Sequence, residues 1–229
     1  MTARSRHLES EPGGGADGLW SEIAAGDFAG RPALFLDRDG VIVEDTQYLG
    51  RAQDVRMLAG AAEAIARCNK LAIPVIVVSN QSGIARGLYD WNGFAAVQGA
   101  IASKLSKAGA RLDAVFACAH HADGKMPLNI SNHPWRKPNP GMIVDAGERM
   151  KLDLAHSWIA GDRASDLAAG RAAGLAGGIL ISPRVDDAER AAATQLRGGE
   201  FAVDIASSLA DAVAHLLARG RFTLPSSAP

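Results

Sequence analysis

The sequence predicts a three-layer α/β fold in which helices cover both faces of a central parallel sheet. Short apolar runs alternate along the chain with longer segments whose apolar residues recur at helical spacing. Several of these runs end abruptly in polar residues, as expected where ligands bind beyond the carboxyl ends of parallel strands. The 229 residues suffice for one such domain with a sizeable core.

The strands are predicted from the apolar runs. Residues Ala33 to Leu36 form the first, and so apolar a run indicates a strand buried on both faces. Residues Ile73 to Val78 are β-branched apart from Pro74, which indicates a second buried strand. Further strands are expected at 113–117, 157–160 and 178–181, with a weaker one at 201–203.

Helical periodicity separates these strands. Within residues 59–71 and 94–108, apolar side chains recur every three or four positions, which is typical of a helix with one buried face. Strands that alternate with helices favour parallel pairing through crossover connections. Further helices are predicted at 141–152, in a segment that ends near 173, and over most of 186–219.

The two chain ends are predicted to lie outside the domain. Residues 1–30 are expected to form an N-terminal extension that is partly mobile, because its first half mixes charged residues, Ser, Pro and three consecutive glycines. In its second half, Trp20, Ile23 and Phe28 could pack as a short amphipathic segment against the domain. We expect the domain itself to span 31–219, followed by a loose tail at 220–229.

Composition argues against several classes of partner. The net charge of −1 provides no field that would attract nucleic acid or acidic membranes. No apolar run approaches the ~20 residues needed to cross a bilayer, and the N-terminus lacks the apolar stretch of a secretory signal. Cys68 and Cys118 are too few for a disulfide framework. We therefore expect a cytoplasmic monomer that binds neither nucleic acid nor membranes.

Polar residues follow four predicted strand ends or loops. The paired residues are Asp37 and Asp39, Ser79 and Asn80, Arg136 and Lys137, and Asp162 and Asp166. Because the strand ends of a parallel sheet converge at one edge, these groups can meet although they are far apart in sequence. Several carboxylates beside a lysine suit Mg²⁺ and a phosphoryl group, and a cation would relieve the repulsion between neighbouring acids. The alternative for the first pair is an ordinary Asp-Gly turn.

The motifs around these residues resemble those of the haloacid dehalogenase-like (HAD) phosphatases. Within that group they are most similar to the heptose 1,7-bisphosphate 7-phosphatases and the related histidinol-phosphate phosphatases. The resemblance covers about residues 33–181. The matching stretches are Asp37-Arg38-Asp39-Gly40-Val41-Ile42, Ser79-Asn80-Gln81-Ser82-Gly83-Ile84-Ala85-Arg86-Gly87, Arg136-Lys137-Pro138-x-Pro140-Gly141-Met142 and Gly161-Asp162-x-x-x-Asp166.

The resemblance implies a Mg²⁺-dependent hydrolysis of a small phosphorylated metabolite. Asp37 would attack phosphorus and form an aspartyl-phosphate, and Asp39 would serve as general acid and then general base. The side chains of Asp37 and Asp162, with the backbone carbonyl of Asp39, would hold Mg²⁺. The resemblance also implies that the fold is the Rossmann-like HAD fold.

The remaining site residues are assigned by the same resemblance. Ser79 and Asn80 would donate hydrogen bonds to phosphoryl oxygens, and Lys137 would neutralise charge on the nucleophile and the phosphoryl group. Asp166 would orient Lys137 or a metal-bound water. Its alternative is an acid that only stabilises the N-terminus of a helix.

The spacing of the motifs predicts an open site without a large cap domain. About 40 residues separate Asp39 from Ser79, and a helix with its flanking strand uses most of them. An open site suits a sugar phosphate that extends beyond the catalytic centre. Arg86, Arg136 and Arg163 are candidates for binding a second phosphate or the sugar, because the planar guanidinium matches phosphate oxygens; the alternative for each is a solvated surface arginine.

One loop departs from the family pattern. Cys118 and His120 match half of the zinc loop of the heptose bisphosphatases, but the two positions of its other half hold His133 and Trp135. Structural zinc requires four Cys or His ligands, of which Cys118, His120 and His133 supply three and Trp135 can supply none. His121 is a candidate for the fourth, although adjacent ligands on an irregular loop need favourable geometry. We therefore favour a loop held by packing of Trp135, Met126 and Pro134, and zinc bound by Cys118, His120 and His133 remains the alternative.

Two functional classes other than a hydrolase are alternatives for this sequence. A phospho-accepting signalling domain also combines clustered acids with a lysine on a parallel sheet, but it lacks an acid two residues after the acceptor. Asp39 therefore argues for hydrolysis, because a carboxylate there can activate water against the phosphoaspartate. A catalytically silent binding protein is disfavoured because all the core polar groups are present.

Overall fold

A single eight-stranded sheet forms the centre of the computed structural model, which describes residues 8–9, 15, 17–182 and 187–222. Its strands run in the order β1-β2-β5-β4-β3-β6-β7-β8. The six strands from β5 to β8 are parallel, whereas β2 is antiparallel to β5 and β1 is antiparallel to β2. The strands are β1 (Leu8–Glu9), β2 (Leu19–Ala24), β3 (Leu34–Leu36), β4 (Val75–Asn80), β5 (Ala114–Cys118), β6 (Trp158–Gly161), β7 (Gly177–Ile181) and β8 (Ala202–Ala206).

Helices cover both faces of this sheet, which confirms the predicted three-layer α/β fold. One apolar core packs α1, α3 and α7 on one face, and a second packs α4, α5 and α6 on the other. Two 3₁₀ turns, Ala52–Asp54 and Leu154–His156, lie outside these helices. The helices are α1 (Ala61–Lys70), α2 (Ser82–Ala85), α3 (Trp91–Lys107), α4 (Gly141–Met150), α5 (Ala164–Ala172), α6 (Asp187–Gln195) and α7 (Leu209–Ala218). None of the helices in the described ranges is long and apolar enough to cross a bilayer.

The predicted strands are all present, with shifted ends. The strand predicted to begin at Ile73 begins at Val75, after Pro74, and it includes Ser79 and Asn80 at its end. Proline lacks the N–H group that a strand interior needs, which accounts for the later start. The region 186–219, predicted to be mostly helical, divides into α6, β8 and α7.

The second half of the predicted N-terminal extension contributes a strand rather than a separate amphipathic segment. Residues Leu19–Ala24 form β2 and pair with β5, so the sheet continues into residues that we expected to lie outside the domain. Trp20 is buried on one face, where its ring lies 5.2 Å from the ring of Phe94, while Leu19 and Ile23 pack against the core on the other. This alternation is typical of a strand, and the added strand covers an otherwise unpaired edge. Most of the predicted tails, 1–16 and 220–229, lie outside the described residues.

The central strands bring the polar residues to one edge of the sheet. β3 lies between β4 and β6, and Leu36 is in register with Val77 on one side and Ala160 on the other. Asp37 therefore leaves β3 beside the ends of β4 and β6. The segment between β3 and β4 holds one 3₁₀ turn and α1, with no cap domain, as the motif spacing predicted.

Truncation of Phe35 tests the central strand. Its side chain is fully buried, so Phe35→Ala should lower the free energy of unfolding by about 3–5 kcal/mol through lost burial and a residual cavity. Urea denaturation at neutral pH measures this change. Leu88→Ala is the control, because Leu88 is 58% exposed and its loss should change stability by about 0.5 kcal/mol or less. Equal changes in the two variants would contradict the assignment of Phe35 to the core.

Candidate active site

A polar cleft of about 650 Å³ opens at the carboxyl ends of β3, β4 and β6. Most of the residues that the sequence singled out line it, although they come from four separated segments. Ser79 does not line the cleft. The predicted residues in its wall are Asp37, Asp39, Asn80, Arg86, Arg136, Lys137, Asp162, Arg163 and Asp166.

Lys137 lies at the centre of the acidic group. Its Nζ donates hydrogen bonds to Oδ1 of Asp37 at 2.8 Å and to the backbone carbonyl of Val78 at 2.7 Å, and it lies 2.6 Å from Oδ1 of Asp166. Burial alone would lower the pKa of Lys137, but the carboxylates of Asp166 and Asp37 outweigh it and hold the pKa above its usual range. The ammonium is therefore permanently charged beside Asp37.

Asp166 is buried behind Lys137. Its Oδ2 also accepts a hydrogen bond from the backbone N–H of Arg163 at 3.0 Å, at the start of α5. Burial raises the pKa of the Asp166 carboxyl, and the Lys137 ammonium opposes that rise. The contacts of Asp166 agree with both roles considered for it. It contacts Lys137, as expected of a residue that orients this lysine, and it also bonds to the first turn of a helix, as expected of an acid that stabilises a helix N-terminus.

Three carboxylates form a group suited to a hard cation. One oxygen each from Asp37, Asp162 and Asp166 lie within 4.8 Å of one another, and no other such group of three His, Cys, Asp or Glu occurs among the described residues. Burial raises the pKa of Asp162 to about 7, and the charges of Asp37 and Asp166 add to the rise. A divalent cation would relieve this repulsion, and oxygen ligands are those that Mg²⁺ prefers. The residues present therefore fit a magnesium ion.

Gly40 allows Asp162 to approach the loop after β3. Its φ of +77° is in the left-handed region, and a Cβ there would lie 2.5 Å from Oδ2 of Asp162. A side chain at position 40 would therefore clash with the carboxylate as well as strain the backbone. The Asp-Gly pair is thus a turn, as the alternative interpretation proposed, and the same turn brings the acidic residues together.

The Asp39 carboxylate lies apart from the acidic group and is held by buried neighbours. Arg38 donates to it from Nε and Nη2, the latter at 2.8 Å from Oδ2, and Gln81 Nε2 lies 3.1 Å from Oδ2. Burial raises the pKa of Asp39, while the Arg38 guanidinium acts in the opposite direction. Tyr89 completes the group by donating from its hydroxyl to Oε1 of Gln81 at 2.6 Å.

Arg38, Gln81 and Tyr89 were not among the residues predicted for the site. Arg38 and Gln81 lie inside the quoted motifs, but only as the residue between Asp37 and Asp39 and as the residue that follows Ser79 and Asn80. The available signal was that a charged residue within a buried apolar segment requires a partner. Arg38 is 1% exposed, and its partner is Asp39.

Ser79 and Asn80 are engaged by the protein itself. Ser79 is buried, and its Oγ accepts a hydrogen bond from Gln81 Nε2 at 2.7 Å. The Asn80 amide donates to the backbone carbonyl of Lys137 and accepts from the backbone N–H of Lys137, each at 3.0 Å. We predicted that both side chains would bond phosphoryl oxygens. The Asn80 side chain joins the Lys137 loop to the end of β4, and the predicted bonding of both side chains to phosphoryl oxygens stays a prediction.

The three arginines line the outer part of the cleft. Arg86 Nη2 lies 2.9 Å from Oδ2 of Asp123 and 3.2 Å from the ring of His121. Arg136 Nη1 donates to the backbone carbonyl of His120 at 2.9 Å. Arg163 is more exposed, with its Nη2 3.9 Å from an Asp45 oxygen.

The proposed zinc ligands lie near one another without converging. Cys118 Sγ is 3.8 Å from Nδ1 of His133, and the rings of His120 and His133 are stacked with centroids 4.1 Å apart and planes 9° apart. An imidazole binds metal in the plane of its ring, so stacked parallel rings direct their lone pairs side by side rather than toward one ion. His120 Nε2 is also 2.8 Å from the backbone carbonyl of Asp17, to which it donates. This geometry favours packing over zinc binding.

The packing of this loop differs in part from the prediction. Trp135 is half-buried, and its ring lies 5.7 Å from that of Phe116. Met126 and Pro134 are exposed, so the prediction that they help to hold the loop was wrong. The buried ring of His120 and the half-buried ring of His133 stack in this loop.

Comparison with known proteins supports the family that the sequence motifs indicate. A family model described as HAD-hydrolase-like matches residues 134–212. The chain is 51% identical over 150 residues to a D-glycero-β-D-manno-heptose-1,7-bisphosphate 7-phosphatase of Mesorhizobium japonicum, covering 66% of this chain and 69% of that protein.

Solved structures agree with this match. A HAD-like phosphatase of Mesorhizobium loti has a TM-score of 0.79 at 41% identity, over 90% of this chain and 96% of that one. The D,D-heptose 1,7-bisphosphate phosphatase of B. bronchiseptica, complexed with magnesium and phosphate, has a TM-score of 0.70 at 31% identity, over 82% and 99% of the two chains. The chain therefore belongs to the HAD phosphatases, in the family that contains the heptose-1,7-bisphosphate 7-phosphatases.

Proposed function

We propose that this protein is a Mg²⁺-dependent phosphatase that removes the 7-phosphate from D-glycero-D-manno-heptose 1,7-bisphosphate through an aspartyl-phosphate on Asp37. The observation that carries the proposal is the contact of Lys137 with Asp37 and Asp166, next to Asp162. This arrangement provides a nucleophilic oxygen, a fixed positive charge and oxygen ligands for a cation around the position of one phosphoryl group.

The chemistry has two steps. In the first, an Asp37 oxygen bonds to phosphorus as the bond from phosphorus to the ester oxygen breaks, and Asp39 gives a proton to the departing alcohol. In the second, water attacks phosphorus, Asp39 takes a proton from that water, and the bond from Asp37 to phosphorus breaks to release inorganic phosphate. Lys137 offsets the negative charge on the phosphoryl group throughout.

The carboxylates of Asp37 and Asp162, with the backbone carbonyl of Asp39, would hold the magnesium ion. When bound, Mg²⁺ supplies positive charge that stabilises the phosphoryl oxygens and lowers their repulsion of the Asp37 carboxylate. The magnesium and phosphate in the B. bronchiseptica relative support this assignment. Asp166, which is already paired with Lys137, is left to orient that lysine.

The heptose bisphosphate is proposed from the named relatives and from the open outer cleft. Arg86, Arg136 and Arg163 line that region and could receive a second phosphate or the sugar. Histidinol phosphate is the alternative substrate, because its phosphatases share much of the motif pattern.

A comparison of the two substrates tests this assignment. We expect kcat/KM for the heptose bisphosphate to exceed that for histidinol phosphate by about 100-fold, since only the former presents a second phosphate to the arginines. Release of inorganic phosphate is measured with and without Mg²⁺, within a wider screen of phosphorylated metabolites. A higher kcat/KM for histidinol phosphate would reject the heptose assignment, and equal rates without Mg²⁺ would reject the metal requirement.

Magnesium affinity should depend on pH near neutrality. Because the metal-free pKa of Asp162 is about 7, a proton competes with Mg²⁺ at this carboxylate below that pH. The Kd for Mg²⁺ should therefore rise by about tenfold for each pH unit below 7 and level off above it. Calorimetric titration across that range measures the slope. Asp162→Asn should bind Mg²⁺ weakly with little dependence on pH near 7, and a wild-type Kd that does not change with pH would contradict the prediction.

Zinc is not required by this proposal. Protein purified without added zinc should contain well under one zinc per chain, because the His120 and His133 rings are stacked rather than convergent. Elemental analysis measures the content, and Cys118→Ser should leave the content unchanged. A stoichiometric zinc that is lost in Cys118→Ser would contradict the packing interpretation.

We also propose a monomer that works in a reducing compartment such as the cytoplasm. Cys68 and Cys118 are free and buried, and burial raises their pKa values to about 12 and about 11. Thiols in this state are unreactive toward disulfide exchange.

A further inference from the structure

Gln81 makes four hydrogen bonds at the end of β4. Its Nε2 donates to Oδ2 of Asp39 at 3.1 Å and to Oγ of Ser79 at 2.7 Å. Its Oε1 accepts from Nη2 of Arg38 at 3.0 Å and from the hydroxyl of Tyr89 at 2.6 Å. The side chain is 2% exposed, so every hydrogen-bonding site of a buried amide is used and its orientation is determined.

The two oxygens of the Asp39 carboxylate receive different hydrogen bonds from this network. Nη2 of Arg38 and Nε2 of Gln81 donate to Oδ2, whereas Nε of Arg38 is shared between the two oxygens, at 3.1 Å from Oδ1 and 3.2 Å from Oδ2. Among the described residues Oδ1 receives no donor besides this shared one. The oxygen with the two additional donors has less capacity for a further proton, which favours Oδ1 as the oxygen that carries it. Asp39 lines the cleft, whereas Gln81 does not, which places the network behind the carboxylate.

We propose that Gln81, anchored by Tyr89 and Arg38, is a positioning residue that holds the Asp39 carboxyl with Oδ1 directed at the leaving oxygen of the substrate. The inference rests on the proposed function, because it concerns the group that protonates the departing alcohol. In the first step the bond from phosphorus to the alcohol oxygen breaks, the proton passes from Oδ1 to that oxygen, and the bond from Asp37 to phosphorus forms. Gln81 itself exchanges no proton.

A purely structural role would not require this arrangement. Burying a guanidinium and an amide costs free energy that an apolar cluster would avoid, and well-packed apolar residues often replace buried ion pairs without loss of stability. The side chains around this network are apolar and aromatic. The Arg38 guanidinium lies 5.5 Å from the centre of the Phe94 ring. The hydrogen bonds of Arg38, Gln81 and Tyr89 in this region connect these side chains to the Asp39 carboxylate and to Ser79.

The leaving group provides a test that separates orientation from folding. An alkyl alcohol must receive a proton as it departs, whereas 2,4-dinitrophenolate departs readily as an anion. We therefore compare kcat/KM, which reports the steps through the first bond cleavage, for the heptose 1,7-bisphosphate and for 2,4-dinitrophenyl phosphate. In Gln81→Met, kcat/KM should fall by about 100-fold for the alkyl ester and by about threefold or less for the aryl ester, as expected for loss of general acid catalysis.

Two further variants provide a matched control and a second test of the inference. Gln98→Met makes the same exchange at a buried glutamine of α3 outside the cleft, and both kcat/KM values should stay at the wild-type level. Tyr89→Phe removes only the hydroxyl that anchors Gln81 and should give the same selective loss at a smaller size, about three- to tenfold. Tyr89→Phe therefore tests the inference even if Gln81→Met does not fold.

The outcomes distinguish this inference from the proposed function. An equal fall for both esters in Gln81→Met and Tyr89→Phe, or no fall in either, would overturn the positioning role while leaving the phosphatase assignment intact. Wild-type protein that releases phosphate from neither ester would overturn the proposed function, and this inference with it. A selective loss for the alkyl ester supports the inference.

Discussion

Asp37→Asn should abolish turnover of every phosphate ester, with kcat falling by about 10⁴-fold or more, as is usual when a covalent nucleophile is removed. The amide is nearly isosteric with the carboxylate, so the cleft should keep its shape while losing the attacking oxygen. Because release of any leaving group requires attack by Asp37, the alkyl and the aryl ester should be affected alike. Phosphate release with saturating Mg²⁺ measures the loss.

The control for this variant is Asp145→Asn on α4. Asp145 lies outside the cleft and pairs with Arg149 at 3.2 Å, so the same chemical change there should leave kcat at the wild-type value. Normal activity in Asp37→Asn would reject the aspartyl-phosphate mechanism. Loss of activity together with loss of the cooperative unfolding transition would instead indicate that Asp37 is needed for folding.

Lys137→Met should reduce both activity and stability. Without the ammonium, Asp37, Asp162 and Asp166 would remain close together with no cation between them. Removing one partner of a buried ion pair typically costs about 3–5 kcal/mol of folding free energy, and removing a group that stabilises transition-state charge costs about 10²–10³ in kcat. Urea denaturation in the absence of Mg²⁺ and phosphate release in its presence measure the two effects.

A double variant separates these effects. Adding Asp166→Asn to Lys137→Met removes the buried carboxylate that faces the missing lysine, so part of the lost stability should return while the activity stays low. Lys107→Met at the exposed end of α3 is the control and should change neither quantity appreciably. Wild-type stability in Lys137→Met would contradict the central place given to this ion pair.

Patterns within short segments were enough to predict the architecture. Apolar runs and helical spacing identified the central strands and most helices, because burial on both faces demands continuous apolar residues. The strand that was not predicted, β2, is antiparallel and half-buried, and its apolar residues Leu19, Trp20 and Ile23 do not follow a clear period of two. Its pairing with β5 depends on residues about 95 positions later in the chain, which no local pattern displays.

The membership of the site was largely predictable for the same reason. The acids and Lys137 stand at strand ends or in loops, and parallel strands bring such positions to one edge. Roles assigned to individual hydrogen bonds were less predictable. The bonds between the Asn80 amide and the backbone of Lys137 were not predicted, because side-chain direction depends on what the folded loop places opposite.

Sequence patterns alone were therefore enough to predict the layered α/β class, the edge of the sheet where polar residues gather, and the acids and lysine that line the cleft there. The folded structure was needed to show that Oδ1 of Asp39 receives fewer hydrogen bonds than Oδ2, that Gln81, Arg38 and Tyr89 hold this carboxylate, and that the rings of His120 and His133 stack instead of converging. The physical reason is that hydrogen bonds depend on direction and join segments that are far apart in the sequence. Burial patterns are set by local periodicity, whereas hydrogen bonds depend on ångström-scale distances and angles between segments that meet only after folding.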